Sequence, residues 1–224
     1  MLNLLFPKVC SGCNDLLLHN ETILCSTCRF NVPLACHHRN NDSTFKDIFY
    51  GRFPVEQATA LLQFQKRGIT QNILHNLKYR NQEQISDFFG RWLGGELSEI
   101  SEYRKISLVI PVPLHKQKLK KRGYNQVEGF GKAIAKALHV PYRDDVLLKL
   151  SKTNSQVFKE RFSRFNPLWK EEGLFSLQKK EIIENQHVLL VDDIITTGAT
   201  LETCAQQLLK ATNVKLSLAT IAIA

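Results

Sequence analysis

The stretch that decides the fold is VLLVDDIITTGAT, from Val188 to Thr200. Four apolar residues, Val188 to Val191, precede two adjacent carboxylates, Asp192 and Asp193, and a turn of hydroxyl-bearing residues around Gly198. A short apolar run bounded by polar residues is typical of a strand buried in a parallel sheet. Ligands of such sheets bind beyond the carboxyl ends of the strands, where the next helix presents its first amides. We therefore expect a binding site at this turn.

The residues of the turn favour a phosphorylated sugar as the ligand. Amides and hydroxyls from Thr196 to Thr200 suit a phosphate, and Gly198 allows the backbone to approach it closely. The carboxylates of Asp192 and Asp193 would repel a phosphate, so we expect them to accept hydrogen bonds from sugar hydroxyls. The structural alternative is an ordinary strand-to-helix turn with a capping aspartate, which explains one aspartate and one threonine but not the whole string.

Strand and helix patterns alternate along the chain from about residue 55. The strand patterns are ATALLQF, LVIPVP (Leu108 to Pro113), HVLLV and KLSLATIAIA. The helix patterns are ITQNILHNLKY, ISDFFGRWLGGEL, residues 126–138 and ATLETCAQQLLKA, whereas the segment from Ser151 to Phe175 has only weak periodicity. This alternation predicts an α/β fold whose mostly parallel sheet is flanked by helices on both faces.

The chain has 224 residues and a formal net charge of +9. This length predicts one main domain with a small appended module, which we place at residues 51–224 and 1–50. The charge favours an anionic partner such as nucleic acid, a phosphorylated metabolite or an acidic lipid. The start MLNLLFPK lacks the basic region of a signal peptide, and no apolar run approaches the roughly 18 residues of a membrane span. We therefore expect a soluble, cytoplasmic chain.

Four cysteines near the N-terminus form two CxxC pairs separated by eleven residues. Four thiolates at this spacing can converge tetrahedrally on one Zn²⁺, and a complete set of four leaves no open position, which predicts a structural zinc ribbon. The predicted ligands are Cys10, Cys13, Cys25 and Cys28. The alternative is a pair of disulfides, which a chain without a secretion signal disfavours because cytosolic thiols stay reduced.

Further cysteines and histidines raise the question of a second metal. Cys36, His37, His38 and His19 stand without another paired motif, so their interpretation as surface or loop residues is preferred. Cys204, on the apolar face of a predicted helix, is most simply a small core residue.

The string from Val188 to Thr200 resembles, at every position, the phosphoribosyl pyrophosphate (PRPP) binding motif of type I phosphoribosyltransferases. The resemblance implies that Asp192 and Asp193 hold the ribose 2′ and 3′ hydroxyls and that the turn cradles the 5′-phosphate. It also implies Mg²⁺ bound together with PRPP. The PRPP-binding residues are then Asp192, Asp193, Ile194, Thr196, Thr197, Gly198, Ala199 and Thr200.

More of the chain is similar to the ComF/GntX family, whose motifs occur here in the same order. After the CxxC pairs these motifs are LKYR (Leu77 to Arg80), PVPL (Pro111 to Leu114), RGYNQ (Arg122 to Gln126), and KTNSQ and RFSRFN between Lys152 and Asn166. Members are associated with DNA uptake during natural competence, and many are labelled as predicted amidophosphoribosyltransferases. The chain departs from the family in lacking an intact second CxxC pair near Cys36, which implies a single zinc, and in carrying Lys152 where members often have arginine.

A basic segment follows the predicted strand at Leu108 to Pro113, and its like charges predict a mobile loop. Its cations are Lys116, Lys118, Lys120, Lys121 and Arg122. In phosphoribosyltransferases such a loop closes over the pyrophosphate, which assigns this role to Pro113, Leu114, Lys116, Lys118 and Arg122. There are two alternatives. The segment could bind a nucleic acid backbone, with Tyr124 as a stacking surface, or it could be a plain solvated loop.

Two functions are consistent with these observations. The first is PRPP binding with Mg²⁺, with transfer of phosphoribose to an unidentified acceptor and Asp192, Asp193, Lys118 and Arg122 as catalytic residues. A glutamine-dependent version would need a reactive nucleophile, and Cys10 is better assigned to zinc. The second is a non-catalytic module that binds single-stranded nucleic acid and works with other proteins of DNA uptake.

Overall fold

The computed structural model describes residues 7–39, 42–79, 83–150 and 174–224. The KTNSQ and RFSRFN motifs, with Lys152, and the last residue of the LKYR motif lie outside the described residues. In chain order the described strands are β1 (Ala58–Gln63), β2 (Leu108–Pro111), β3 (Leu147–Lys149), β4 (Phe175–Leu177), β5 (His187–Ile195) and β6 (Lys215–Ile223). The described helices are α1 (Ser26–Asn31), α2 (Thr44–Asp47), α3 (Ile69–Tyr79), α4 (Glu83–Ser98), α5 (Lys116–Arg122), α6 (Glu128–Leu138) and α7 (Ala199–Leu208).

Four strands form the central sheet in the order β1-β6-β5-β2, and all three neighbouring pairs are parallel. Side chains of β5 alternate between two apolar layers: Leu189 and Val191 pack on one face of the sheet, and Val188 and Leu190 on the other. Both faces are therefore covered, which is why β5 reads as a continuous apolar run rather than as an alternating one. The predicted α/β class with a parallel sheet flanked by helices is confirmed.

Helices α4 and α6 lie side by side on one face of the sheet. The buried residues of α4 include Ile85, Phe89 and Leu93, which recur at the spacing of one helix turn. Gly90 allows the close approach, because a Cβ at this position would lie 2.6 Å from the carbonyl oxygen of Phe130. The predicted amphipathic helices are thus confirmed, and they form one wall of the core.

The N-terminal segment adds to the sheet instead of standing apart from it. Residues 33–36 run antiparallel to β1, where the Ala35 amide donates to Leu61 O at 2.9 Å and the Cys36 amide donates to Ala60 O at 3.0 Å. The side-chain amide of Asn76, on α3, also donates to Ser11 O at 2.9 Å. The division at residues 1–50 and 51–224 remains a prediction, and the two parts share one core.

Two elements differ from the sequence expectations. The basic segment predicted as a loop is helix α5, which begins after His115 and ends at Gly123, whose φ of 82° is left-handed. Strands β3 and β4, which pair antiparallel in a separate small sheet, were not predicted, because they are only three residues long. None of the helices in the described ranges is long and apolar enough to cross a membrane.

Candidate functional site

The two adjacent aspartates lie inside β5, which continues past them to Ile195. Asp192 pairs in register with Thr220 of β6, so both acids belong to the regular part of the strand. Successive side chains of a strand point to opposite faces, and the two carboxylates therefore face different neighbours. We call these two residues together with the turn to Thr200 the acidic edge.

Lys78, near the end of α3, is the ion-pair partner of one of these acids. Its Nζ lies 3.1 Å from Asp193 Oδ2, and both side chains are largely covered. The same carboxylate accepts a hydrogen bond from the Ile194 amide at 2.7 Å, through Oδ1. Sequence reasoning did not single out Lys78, although it is the second residue of the LKYR motif, which was the available signal.

The neighbouring acid, Asp192, faces an environment that opposes its ionisation. Burial and the charge of Asp193 raise the pKa of Asp192 to about 8, although the Asp193 amide, Lys78 and Lys149 act in the opposite direction. At neutral pH Asp192 is therefore mostly protonated. A ligand that brings positive charge or hydrogen-bond donors to this carboxyl would favour the ionised form.

The turn after β5 is held on one side by Phe49 and Arg52. Gly198 has a left-handed φ of 80°, and a Cβ here would lie 2.7 Å from Cε1 of Phe49. Arg52 Nη1 donates to Thr197 O at 3.1 Å, which fixes the carbonyl side of the turn. In the part of the chain that the structure describes, the amides of Thr196, Thr197 and Gly198 donate to no protein acceptor. This group of amides can accept an anion.

The segment after β2 lies beside the acidic edge. Pro111 is in register with Val191, and the Val112 amide donates to Val191 O at 2.8 Å. Asn125 then donates from Nδ2 to Val112 O at 3.1 Å and so ties the end of α5 to this segment. Pro113 and Leu114, which follow directly, are half-buried.

The basic residues of α5 point mainly to solvent. Lys116, Lys118 and Lys120 are exposed, and Arg122 Nη1 donates to Gln126 Oε1 within the RGYNQ motif. Among the described residues, no ion pair joins these lysines to the two aspartates of the acidic edge. The structure thus brings their helix to the correct end of the sheet but does not place their side chains in the site.

Tyr124 does not form the stacking surface suggested by its sequence neighbours. It is only 7% exposed, and its hydroxyl donates to the carbonyl oxygen of Leu77. This bond links the RGYNQ motif to the LKYR motif through the protein interior. The role of Tyr124 is structural, and the hypothesis of base stacking on its ring is wrong.

Four cysteines near the N-terminus converge on one point, and we call them the cysteine cluster. Their sulfur atoms all lie within 4.8 Å of one another, and none forms a disulfide. The amides of Gly12 and Cys25 each donate to Cys10 Sγ at 3.3 Å, and the Cys28 amide donates to Cys25 Sγ at 3.4 Å. Burial raises the pKa of Cys10, but the amides around its sulfur outweigh burial and lower this pKa to about 7. These donors fit a thiolate set for one tetrahedral cation.

Cys36, His37 and His38 lie in a loop and His19 is exposed, as the interpretation as surface or loop residues allowed, but the side chains of the first three are covered rather than on the surface. Cys36 is 7% exposed, His37 is 6% exposed, and the side chain of His38 is fully covered. The cause is the pairing of residues 33–36 with β1, which carries the following histidines under the end of α4. Cys204 is fully buried on α7, as expected of a core residue.

The comparisons with known proteins agree with the sequence resemblance. Residues 128–224 match the phosphoribosyl transferase domain family. The chain is 26% identical over 211 residues to competence protein F of Haemophilus influenzae. The alignment covers 90% of this chain and 84% of that protein. It is also 26% identical over 141 residues to DNA utilization protein YhgH of Escherichia coli. This alignment covers 62% of this chain and 60% of that protein. The second match thus spans less than two thirds of the relative.

A solved structure that the chain matches in part is glutamine phosphoribosylpyrophosphate amidotransferase from B. subtilis. The likeness covers 60% of this chain and 26% of that chain, with a TM-score of 0.39 and 20% sequence identity. The predicted similarity to the ComF/GntX family is confirmed by the competence and DNA utilization proteins together with the matched domain.

Proposed function

Because residues 128–224 match the phosphoribosyl transferase domain family and the chain is similar to competence protein F, we propose that the acidic edge binds PRPP with Mg²⁺. The observation that carries this proposal is the turn after β5, where amides that donate to no acceptor among the described residues come soon after two carboxylates at the carboxyl end of a central strand. A sugar phosphate matches these groups: its phosphate accepts hydrogen bonds from the amides, and its hydroxyls donate to the carboxylates.

Each part of the acidic edge then has a distinct task. The amides and hydroxyls from Thr196 to Thr200 hold the 5′-phosphate, and Ile194 joins this turn to the two acids. Asp192 and Asp193 accept hydrogen bonds from the ribose hydroxyls, and Lys78 holds the second carboxylate in place. Bound Mg²⁺ would neutralise the charge of the pyrophosphate, a role that suits a hard cation with oxygen ligands.

If the protein turns PRPP over, the bond between ribose C1 and the pyrophosphate oxygen breaks while a new bond forms from C1 to the acceptor. The electron pair of the broken bond leaves with pyrophosphate, so cations near the leaving group lower the barrier. Lys116, Lys118 and Arg122 are our candidates, because their helix begins beside the acidic edge. Closing of the segment from Pro113 onward would bring the lysines inward and exclude water.

The cysteine cluster is best explained as a structural Zn²⁺ site. Four sulfur ligands leave no position for a substrate, and Cys10 and Cys28 lie in the same core as α3 and β1. The metal would hold residues 7–39 in the form that pairs with the sheet. A cytoplasmic location, where free thiols persist, is part of this proposal.

Calorimetry with PRPP in the presence and absence of Mg²⁺ tests the first function. We expect Mg²⁺-dependent binding that Asp192→Asn and Asp193→Asn each weaken at least tenfold. Asp145→Asn is the matched control, because this acid forms an ion pair with Arg143 away from the acidic edge. Equal binding by all four proteins would contradict the proposal. Release of pyrophosphate in a screen of candidate acceptors would then identify turnover.

Binding of single-stranded nucleic acid is a second candidate function, and the exposed lysines of α5 favour it. The names of the relatives, which refer to competence and DNA utilization, agree with a role in DNA uptake beside partner proteins of that process. Titration of single-stranded DNA against salt tests it: the variant Lys116→Ala, Lys118→Ala, Lys120→Ala should reduce the salt slope by about 2, since each lost phosphate contact on a single strand contributes about 0.7. An unchanged affinity and slope would remove this candidate.

A further inference from the structure

A second set of metal-binding side chains meets far from the acidic edge, where the N-terminal segment passes the end of α4. His38 Nε2 lies 2.7 Å from Glu96 Oε2, and Cys36 Sγ lies 4.0 Å from the same oxygen. The three potential ligand atoms all fall within 4.8 Å of one another. We call Cys36, His38 and Glu96 the Cys36 cluster.

The histidine of this cluster is oriented as metal-bound histidines are. Its Nδ1 lies 2.7 Å from Thr59 Oγ1, and that hydroxyl is 3.5 Å from Ala60 O, an acceptor for its proton. In one tautomer Nε2–H donates to Glu96 and Nδ1 accepts from the Thr59 hydroxyl. In the other, Nδ1–H donates to Thr59, and the Nε2 lone pair is available to a cation placed between His38 and Glu96. A hydrogen bond from the distal ring nitrogen to a protein oxygen is the usual support of a metal-bound imidazole.

The carboxylate is held by donors on both oxygens, and its Oε2 also faces His38 and Cys36. Trp92 Nε1 donates to Glu96 Oε1 at 2.8 Å, and Arg39 donates from Nη2 to the same oxygen and from Nε to Oε2 at 3.2 Å. The guanidinium also offsets the negative charge that a Cys36 thiolate would add. The ligand set is therefore supported on both its imidazole and its carboxylate side.

The backbone at Cys36 is unusual as well. Its φ of 46° lies in the left-handed region, which a cysteine seldom adopts because the conformation is strained. The hydrogen bonds of Ala35 and Cys36 to β1 hold the residue there, with its sulfur beside Glu96.

We propose that the Cys36 cluster binds a second Zn²⁺, separate from the cysteine cluster. One thiolate, one imidazole and one carboxylate form a ligand set that zinc accepts, and three protein ligands leave a fourth position for water. His38 and Arg39 also line a cavity of about 390 Å³, bounded by His37 and by Tyr103, whose hydroxyl has no hydrogen-bond partner among the described residues. The cavity thus adjoins the cluster at His38, whereas Cys36 and Glu96 do not line it. Binding requires the His38 and Glu96 atoms to separate by about 0.7 Å, because tetrahedral nitrogen and oxygen ligands about 2.0–2.1 Å from zinc lie about 3.4 Å apart.

Metal stoichiometry of the purified full chain, measured by native mass spectrometry and by elemental analysis after dialysis with Zn²⁺, tests the proposal. We expect two zinc ions in the wild-type protein. Cys36→Ala and His38→Ala should each remove one ion, and Cys13→Ala should remove the other. Cys204→Ala is the matched control and should keep both, since this cysteine lies on α7 away from both clusters. A wild-type protein that binds only the ion lost in Cys13→Ala would overturn the proposal.

A gentler variant keeps the test independent of folding. Thr59→Val replaces the buried hydroxyl by a methyl group of the same size, so that only the support of His38 is lost. Competition with a chelator should then show the affinity for the second ion reduced by about 10–100-fold, with the first ion unchanged. Replacement with Co²⁺ gives a further readout, because Cys36→Ala should remove one sulfur-to-cobalt charge-transfer contribution. Identical affinities and spectra in wild type and both variants would refute the assignment.

Discussion

The cysteine cluster and the acidic edge collect their side chains in opposite ways. Cys10 to Cys28 span a short stretch, and the sulfur atoms of Cys10 and Cys25 accept hydrogen bonds from amides of the same stretch. The acidic edge combines β5 with Lys78 on α3 and Arg52 near α2, which are far apart in sequence. The first site is built by local backbone, and the second exists only when the sheet and its helices are in place.

The two regions also differ in how their charges are balanced. Amide donors favour the charged form of the Cys10 thiol, whereas burial and Asp193 oppose the charged form of Asp192, lowering the pKa of the first and raising that of the second. The pKa values of Cys13 and Cys28 are instead raised, mainly by burial, so a cation bound among the four sulfur atoms is what would favour their thiolates. A site with an acid kept protonated suits a ligand that arrives and leaves, because binding can release that proton.

Removal of the metal from the cysteine cluster should destabilise the protein more than any change at the acidic edge. We expect Cys28→Ser, or excess chelator added to Cys36→Ala so that only this ion is removed, to lower the free energy of unfolding by several kcal/mol, since structural zinc binding is worth about 10–16 kcal/mol in small domains. Urea unfolding followed by circular dichroism measures this. Cys204→Ala should cost only about 1 kcal/mol and leave the chelator effect intact. A wild-type midpoint that ignores the chelator would show that the cluster needs no metal.

Gly198→Ala should damage the acidic edge next most strongly. The added methyl would meet Phe49, and a φ of 80° is unfavourable for alanine, so we expect a loss of about 1–3 kcal/mol in stability. PRPP binding in calorimetry should fall below detection. The double variant Phe49→Ala, Gly198→Ala relieves the contact but not the backbone strain. If it restores full binding, the position of Phe49 and not the left-handed turn is what the site requires.

The protonated state of Asp192 predicts a pH dependence of binding. If PRPP with Mg²⁺ requires the carboxylate, affinity should rise about tenfold from pH 7 to pH 9, because a pKa of about 8 must be overcome below that pH. Calorimetry in buffers of different ionisation enthalpy should show proton release at pH 7. Asp192→Asn should bind weakly with no such release.

The same shift has a consequence for stability without ligand. A raised carboxyl pKa means that the folded chain binds more protons than the unfolded one between about pH 4 and pH 8, so stability should fall as pH rises through this range. Asp192→Asn should therefore flatten the profile of urea midpoints against pH. An unchanged slope would show that Asp192 ionises normally in the free protein.

Lys78→Met should have the smallest effect on stability, within about 1 kcal/mol, because a partly exposed ion pair contributes little. We nevertheless expect PRPP affinity to drop, since Asp193 loses the cation that holds it. Lys132→Met removes a comparable pair with Glu128 on α6 and serves as the control for affinity. Equal affinities of both variants would mean that Lys78 has no part in the site.

Features that depend on a short stretch of sequence were predictable, whereas features formed by tertiary packing were not. The spacing of Cys10 to Cys28 and the apolar run before Asp192 each carry their own signal. The pairing of Lys78 with Asp193 and of His38 with Glu96 depends on where α3 and α4 settle, which no local pattern states. Tertiary contacts of this kind decide which charged residues become buried.

The error over α5 has a different origin. Its run of like charges suggested a loop, but lysine, glutamine, leucine and arginine are all good helix formers. His115 accepts a hydrogen bond from the Gln117 amide at the start, and Gly123 ends the helix in the left-handed conformation. These end signals were present in the sequence, and repulsion among exposed lysines is too weak in water to overcome them.

The pairing of residues 33–36 with β1 bears on how the chain avoids self-association. A parallel sheet with an open outer strand is a template for other chains. Here the β1 side is shielded by residues 33–36, and at the opposite side Val109 of β2 exchanges hydrogen bonds with Pro141 and Arg143. A fragment that begins after residue 50 would uncover one border of the sheet, and we expect it to aggregate during expression even where its interior is intact.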